Sequence, residues 1–402
     1  VSLSTPRRDR RILVSGAGIG GPALAGWLHR YGFLPTLIER APTFRDGGYM
    51  IDIWGLGWDL VDRMGLLAAA RDRGYVMDRL VFVDERGRQV SGFDADVFRR
   101  ALSGRFFSIP RGDLARIIYD TVGGDVPTLY STSIDAVREH ESGVDVDLSN
   151  GSSQTFDLVI GADGLRSRVR ECVFGAERQF EKYLGYYAAS FVTRGYPQRD
   201  ERTYLSFARP GRQISRYALR DDRSALLFVF AVDDPLDVAP HDVAAHKAIL
   251  HARFGGDGWE CPEILARLDA ADDVYFDSVS QIRMPRWSAG RVALIGDAAY
   301  CPSLLAGAGA AFAMLGAYVL AGELKRANGD HVAAFAAYEG RMRPFIEEQQ
   351  TSAEQFARWF APKTAFGIFL RDSVLNLMRF QPLGTWLSRR MFAGTFDLPD
   401  YA

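Results

Sequence analysis

Three apolar runs in this chain each end on an acid next to a turn. They are "PTLIER", closing on Glu39 and Arg40; "DLVIGADGL", with Asp163-Gly164; and "GRVALIGDAAY", with Gly296-Asp297. A carboxylate at the end of a buried strand can accept hydrogen bonds from hydroxyl groups, and a neighbouring glycine lets a ligand approach the backbone. A fourth stretch, "GAGIGG", supplies Gly16-x-Gly18-x-x-Gly21 directly after "RRILVS", with Ile19 and Gly20 inside it. In this arrangement two glycines make a tight turn and admit a pyrophosphate, while the third lets helix pack on strand. Glu39, eighteen residues past Gly21, would take ribose hydroxyls. A merely structural glycine turn would explain neither the helix start nor the acid. Glu39 would repel a 2′-phosphate, so NADP is disfavoured as the resident, whereas NAD and FAD both fit. Asp163 and Asp297 lie far along the chain, and neither is needed to hold NAD.

The elements that must position these residues are legible in the periodicity. "RRILVSGAGIGGPALAGWLHRYG" reads as a buried strand over Ile12 to Val14, a glycine turn, a helix and a stop at Gly32; "PTLIER" then completes a βαβ opening. "RLVFVDERGRQVSGF" predicts a hairpin and "IPRGDLARIIYDTV" a helix after Pro110. A second hairpin around Asn150-Gly151 runs into the strand before Asp163. The runs "YYAASFVTR", "RTYLSF", "ISRYAL" and "SALLFVFAV" suit an antiparallel sheet carrying a substrate pocket. A helix is expected over 308–322, after the Gly296-Asp297 turn, and the tail 346–402 reads as helical with many aromatic residues.

Composition narrows the function classes. The chain has 402 residues, 48% hydrophobic and 24% charged, which suits a folded protein of more than one domain. A net charge of −2 lacks the basic footprint of a nucleic-acid binder. Cys172, Cys261 and Cys301 are odd in number and widely spaced, which fits a reducing cytoplasm better than a disulfide framework or a metal site. The apolar "ILV" after the basic N-terminal residues is too short for a signal-peptide core. Residues 306–322 are 17 uncharged residues rich in Ala and Gly, short of the ~20 needed to cross a bilayer, so a buried helix is expected there and no membrane partner. No Ser/His/Asp or metal constellation is visible, and His241, His246 and His251 are expected to be solvated on a surface helix.

With these motifs in order, the chain resembles the FAD-dependent group A monooxygenases of the para-hydroxybenzoate hydroxylase type, especially the tetracycline-modifying and aromatic-polyketide hydroxylases. The resemblance spans roughly residues 1–345 and rests on the joint occurrence of the fingerprint at 16–21, Asp163-Gly164 and Gly296-Asp297. It implies that Asp297 binds the ribityl chain. The loop after it, with Pro302, Gly307, Ala308 and Gly309, would lay backbone against the pyrimidine edge of the flavin, under the positive end of the following helix. It places Arg111 of "IPRGDL" against the flavin and gives Arg45 and Asp52 of "RDGGYMIDIWG" cofactor roles, with Met50 and Trp54 as pocket candidates. Phe207, Tyr217, Phe228 and Phe230 of the inserted sheet are further pocket candidates, of which alternation should turn about half away. The chain departs from the family pattern at Tyr300 to Leu305, where His and Pro-Pro are usual. It departs again at Ala308 and Ala311, where Gln and Asn are usual, so polar contacts to the ring are fewer.

The resulting expectation is an α/β protein: a Rossmann-like FAD-binding domain with an inserted mixed β-sheet substrate domain and a helical C-terminal tail. The FAD-binding segments would be 1–77, 101–178 and 281–345, the substrate-domain segments 78–100 and 179–280, and the tail 346–402. The function implied is hydroxylation of a planar aromatic or enol-bearing small molecule. It would use non-covalent FAD, NADPH or NADH, and O2, through a flavin C4a-hydroperoxide. A non-oxygenating FAD oxidoreductase of the same architecture is the alternative. The flavin carries the chemistry, so no side chain is assigned as catalytic. Monomer and homodimer are both compatible.

Overall fold

The computed structural model describes residues 10–44, 47, 49–239, 241–380, 382, 384–386 and 396–401. The chain opens with β1 (Arg11–Ser15), α1 (Gly20–Arg30) and β2 (Leu34–Ile38). Then follow β3 (Met50–Trp54), α2 (Gly55–Arg63), α3 (Leu67–Arg73), β4 (Arg79–Val83), β5 (Gln89–Asp94), α4 (Asp96–Ala101), β6 (Phe106–Pro110) and α5 (Arg111–Asp120). After β7 (Thr128–Leu129), the strands β8 (Ile134–His140), β9 (Gly143–Leu148), β10 (Ser153–Phe156) and β11 (Leu158–Gly161) lead into α6 (Arg168–Phe174). The long β12 (Glu181–Arg194), β13 (Thr203–Arg209), β14 (Arg212–Leu219) and β15 (Arg223–Ala231) precede α7 (Val243–Phe254), α8 (Cys261–Asp269) and β16 (Tyr275–Ile282). The chain continues through β17 (Ser288–Ala289), β18 (Val292–Leu294), α9 (Asp297–Tyr300), α10 (Gly309–Arg326), α11 (His331–Phe360) and α12 (Ala365–Leu377).

Two sheets carry the architecture. The first runs β17-β18-β11-β1-β2-β7, parallel except for its edge strand β17. Its central strands are buried on both faces, so they read as continuous apolar runs. Ser15 pairs with Gly161 and Ile38, and Gly161 pairs with Leu294, so the carboxyl ends of β1, β2, β11 and β18 lie along one edge. That edge is where an open parallel sheet forms a crevice. The glycines of the first turn are sterically required. Gly16 has φ +105°, and a Cβ at Gly21 would overlap the Gly16 carbonyl oxygen.

The second sheet runs β16-β12-β15-β14-β13-β4-β5 and is antiparallel except where β4 lies parallel to β13. It therefore joins residues 79–94 to residues 181–282, as the sequence reading of a mixed sheet requires. Strand alternation gives it two faces. Phe207, Ile214, Phe228 and Ala189 align across one face and form a core with Phe254, Ile264 and Leu265 of α7 and α8. Tyr204, Tyr217 and Ala225 align on the other and meet Met50, Trp54 and Phe106 of the two-stranded β3-β6 sheet. At the C-terminal end, α11 runs unbroken for 30 residues through Pro344, and α12 lies along β5 and β13, where Leu375 and Met378 join Phe82 and Phe93. No described helix is long and apolar enough to cross a membrane; the uncharged stretch before Glu323 is the interior of α10, whose Met314, Leu315, Val319 and Leu320 are fully buried.

A fully buried arginine ties two strand-end turns together. Arg170 on α6 donates to the carbonyls of Leu165, 2.6 Å away, and Ala298, 2.9 Å away, and pairs with Glu177 at 3.2 Å. Arg170→Met would leave two interior carbonyls without a donor, an expected loss of about 2–4 kcal/mol. Urea unfolding of the apoprotein measures it directly; a midpoint unchanged from the parent would show that the staple contributes nothing.

Candidate functional site

The crevice along the strand ends opens into a cavity of about 930 Å³. Gly16, Gly18, Ile19 and Gly20 line it from the first turn, Glu39 and Arg40 from the second, Asp163 and Gly164 from the third, and Gly296 and Asp297 from the fourth. Arg111, Gly307 and Gly309 line it as well. Residues scattered over almost 300 positions are thus gathered by one sheet register.

Each acid is held differently. Glu39 accepts from the backbone N–H of Ala17 and of Ala41, both at 2.9 Å, so it braces the glycine turn while still bordering the cavity. Asp163 is committed inward: it accepts from Ser167 Oγ at 2.5 Å, Arg168 N at 2.9 Å and Val169 N at 3.1 Å, capping α6. Its turn presents mainly backbone to a ligand. Asp297 is the acid with least compensation. Desolvation raises its pKa; Arg111 opposes this, as does a hydrogen bond with Cys301. A carboxylate in a cavity with so few partners is suited to receiving ligand hydroxyls.

Positive potential comes from two sources. Arg111, the first residue of α5, reaches the glycine turn, where its Nη2 lies 3.6 Å from the position a Cβ at Gly18 would take. The N-terminus of α10 begins at Gly309, beside Asp297 Oδ1, with Ala308 as its cap residue. Gly307 is left-handed at φ 66°, and Ser303, a buried non-glycine residue, holds φ 121°. Strain of this kind persists only where surroundings enforce it. Here the buried glutamines enforce it: Gln281 donates to the Pro302 carbonyl at 3.0 Å, and Gln350 donates to those of Ile282 and Cys301 at 2.8 and 3.2 Å. Pro302 thus anchors the loop from behind, while Cys301 is a buried thiol whose pKa is pushed well up by desolvation.

Other sequence candidates lie elsewhere. Gly21 packs against Gly16 and does not border the cavity. Arg45 lies outside the described residues. Phe207 stacks on Trp259, while Phe228 and Phe230 pack on Phe254; none of the three borders the cavity, although Tyr187 and Phe276 of the same cluster do. Tyr217, Met50 and Trp54 cluster on the facing side. His246 departs from the expected solvated position: it is 2% exposed and stacks on Phe276 at 4.3 Å, with desolvation lowering its pKa.

Asp52 does not border the cavity, although its neighbour Ile51 does. Asp52 stands on the same face of β3 as Met50 and Trp54, opposite Ser108 of β6, whose Oγ donates to it at 2.5 Å. Its side chain keeps exposed area, yet desolvation is the main cause of its raised pKa. Tyr49 and Tyr275, ring centroids 5.6 Å apart, border the cavity where the large sheet's inner face approaches it. Sequence reading missed both tyrosines, Arg170 and the glutamine pair; none has a motif, and only the folded register assembles them.

The donor set fits FAD: a glycine turn without room for side chains, an acid for ribose, a second under-compensated acid and a cavity of dinucleotide size. Asp297→Ala should weaken FAD binding by roughly ten- to over a hundredfold, the loss of charge-assisted hydrogen bonds worth about 1.5–3 kcal/mol. Because desolvation raises the Asp297 pKa, acidification protonates it above the ordinary carboxylate range. FAD affinity should therefore fall as pH drops through that range, and Asp297→Asn should remove the dependence. Fluorescence titration of the apoprotein reads both effects, and equal affinities for parent and variants would place Asp297 away from the cofactor.

Comparison with known proteins agrees with this geometry. Residues 9–349 match the family described as FAD binding domain. An uncharacterised protein, Rv1260 of Mycobacterium tuberculosis (strain ATCC 25618 / H37Rv), is 38% identical over 342 residues, 85% of this chain and 92% of that one. A flavin-dependent monooxygenase from an unknown prokaryotic organism is 36% identical over 369 residues, 91% of this chain and 90% of its own. The crystal structure of tetracycline destructase Tet(51) superposes with a TM-score of 0.84 at 31% identity, covering 98% of this chain and all of that one. The chain belongs to the FAD binding domain family and is an FAD-dependent monooxygenase of the para-hydroxybenzoate hydroxylase type.

Proposed function

We propose that the protein uses NADH or NADPH and O2 to hydroxylate a planar small molecule bearing a phenol or enol, of the polyketide or tetracycline class. The observation that carries this reading is the cavity along the strand ends, which Tyr49, Tyr187, Tyr275 and Phe276 border beside the dinucleotide-binding turns. Flat aromatic surfaces of this kind suit a fused-ring ligand. The relationship to flavin-dependent monooxygenases and to a tetracycline destructase supports the same class.

When bound, FAD supplies hydride acceptance and oxygen activation. The protein's part is placement and electrostatics. Gly16, Gly18 and the start of α1 receive the pyrophosphate, Glu39 the adenosine ribose and Asp297 the ribityl hydroxyls. Arg111 and the N-terminus of α10 offer positive potential to negative charge that develops on the ring. Tyr49 and Tyr275, each with its pKa raised mainly by burial, stay neutral and help keep water out. Ala308 and Ala311 bring no side-chain hydrogen bond, so the backbone of the 303–309 loop carries the polar contacts on that side.

With a tetracycline or a related aromatic polyketide, NAD(P)H oxidation should accelerate and the product should gain one oxygen atom, labelled under 18O2. Mass spectrometry decides it. Turnover that proceeds equally well without O2 and yields unlabelled product would replace hydroxylation with simple oxidoreduction.

A further inference from the structure

Helix α12 has two apolar faces, and the fold covers one of them. On the inner side Leu375 and Met378 pack with Phe82 and Phe93 of the large sheet. Arg371, itself buried, lies 3.8 Å from the centroid of the Phe82 ring and pairs with Asp372 at 3.0 Å. Asn376 and Arg379 donate to the Val90 and Gly92 carbonyls of β5 at 3.2 and 3.0 Å. These contacts fix the rotation of the helix, so it cannot roll its outer side inward. On that outer side stand Phe366, Phe369, Leu370 and Leu377, with Phe380 in the turn that follows, each between 47 and 72% exposed. Their helical spacing gathers them into one stripe. Other exposed large apolar residues, such as Leu34, Val192 and Val332, are scattered along the chain.

We propose that the outer stripe of α12 is the contact of a two-fold homodimer, in which two copies pair this helix antiparallel about Ser373. The order of the stripe is symmetric about that residue: Phe366 and Phe380 each stand seven positions from it, Phe369 and Leu377 each four. An antiparallel pair crossing there sets Phe366 of one copy against Phe380 of the other, and Phe369 against Leu377. That is the self-complementary patch a two-fold contact needs. Ser373 is small, and its hydroxyl donates to the Phe369 carbonyl at 2.7 Å, so the helices can approach at the axis without stranding a polar group. The area fits as well. Three phenylalanines and two leucines exposed to this degree present roughly 600 Å² per copy, the upper end of what a monomer leaves bare. Covering both copies removes about 1,200 Å², which reaches the size of a stable specific interface. The stripe carries no charge to repel a second copy. The basic residues flanking the helix, Lys363 and Arg379, are engaged by Asp233 and by the Gly92 carbonyl rather than forming the cationic rim that an anionic membrane surface requires. No described residue of α12 borders the cofactor cavity, so the inference does not rest on the hydroxylation reading.

Sedimentation velocity of the FAD-loaded protein over a wide concentration range tests it. The parent should move from one chain mass to two as concentration rises. Phe369→Glu and Leu377→Lys should each weaken association at least about tenfold, because a charge then enters an apolar contact. Both positions are exposed, so each variant should keep the parent's FAD content and far-UV circular dichroism. Mixing the two variants in equal amounts should restore the dimer, since antiparallel pairing sets the new acid of one against the new base of the other. A parent that stays at one chain mass would overturn the proposal; phosphatidylcholine–phosphatidylglycerol vesicles that bind this monomer but not Phe369→Glu would then assign the stripe to a lipid surface. Parent-like association of Phe369→Glu would move the interface to another face of the molecule. Mixed variants that remain monomeric would rule out the antiparallel pairing about Ser373.

Discussion

The Arg170 guanidinium holds the site's geometry together. Its bonds to the Leu165 and Ala298 carbonyls join the turn after β11 to the turn after β18, two segments separated by more than a hundred residues. Parallel pairing already brings those strand ends to one edge, but pairing stops where the turns begin. Beyond that point the backbone has no ladder to fix it, and the buried arginine takes over. The position of Asp297 relative to the Asp163-Gly164 turn therefore depends on a charged group that desolvation disfavours and Glu177 offsets.

The strand-end acids divide by what already satisfies them. Burial raises the pKa of Asp297 in the cavity, with Arg111 and Cys301 as its partial compensation. That is a local loss of stability in the free protein that a ligand hydroxyl can relieve. Such an under-compensated charge marks where the molecule expects a partner, whereas Asp163, saturated by α6, marks a structural joint.

Much of this was legible in the chain. The fingerprint, the three strand-end acids and the helix after Gly307 follow from glycine sterics and apolar periodicity, and they bring together the intended cavity. Local pattern does not say which face of a sheet looks inward. Phe207 and Phe228 alternate as cleanly as Tyr217, yet only the packing of α7 and α8 on that face encloses them in a core apart from the cavity. His246 shows the same limit: its helix reads as a surface helix in sequence, but the ring is covered by Phe276 from a strand thirty residues on. Arg170, Gln281 and Gln350 were unreadable because buried polar residues earn their place through long-range partners.

The account stands on one cavity assembled from four strand ends to hold FAD without a covalent bond. The most direct measurement is the absorption spectrum of the purified protein, followed by mass spectrometry of what denaturation releases. The structure predicts a yellow protein that yields unmodified FAD at about one molecule per chain. Well-folded protein that releases NAD and no flavin would contradict it.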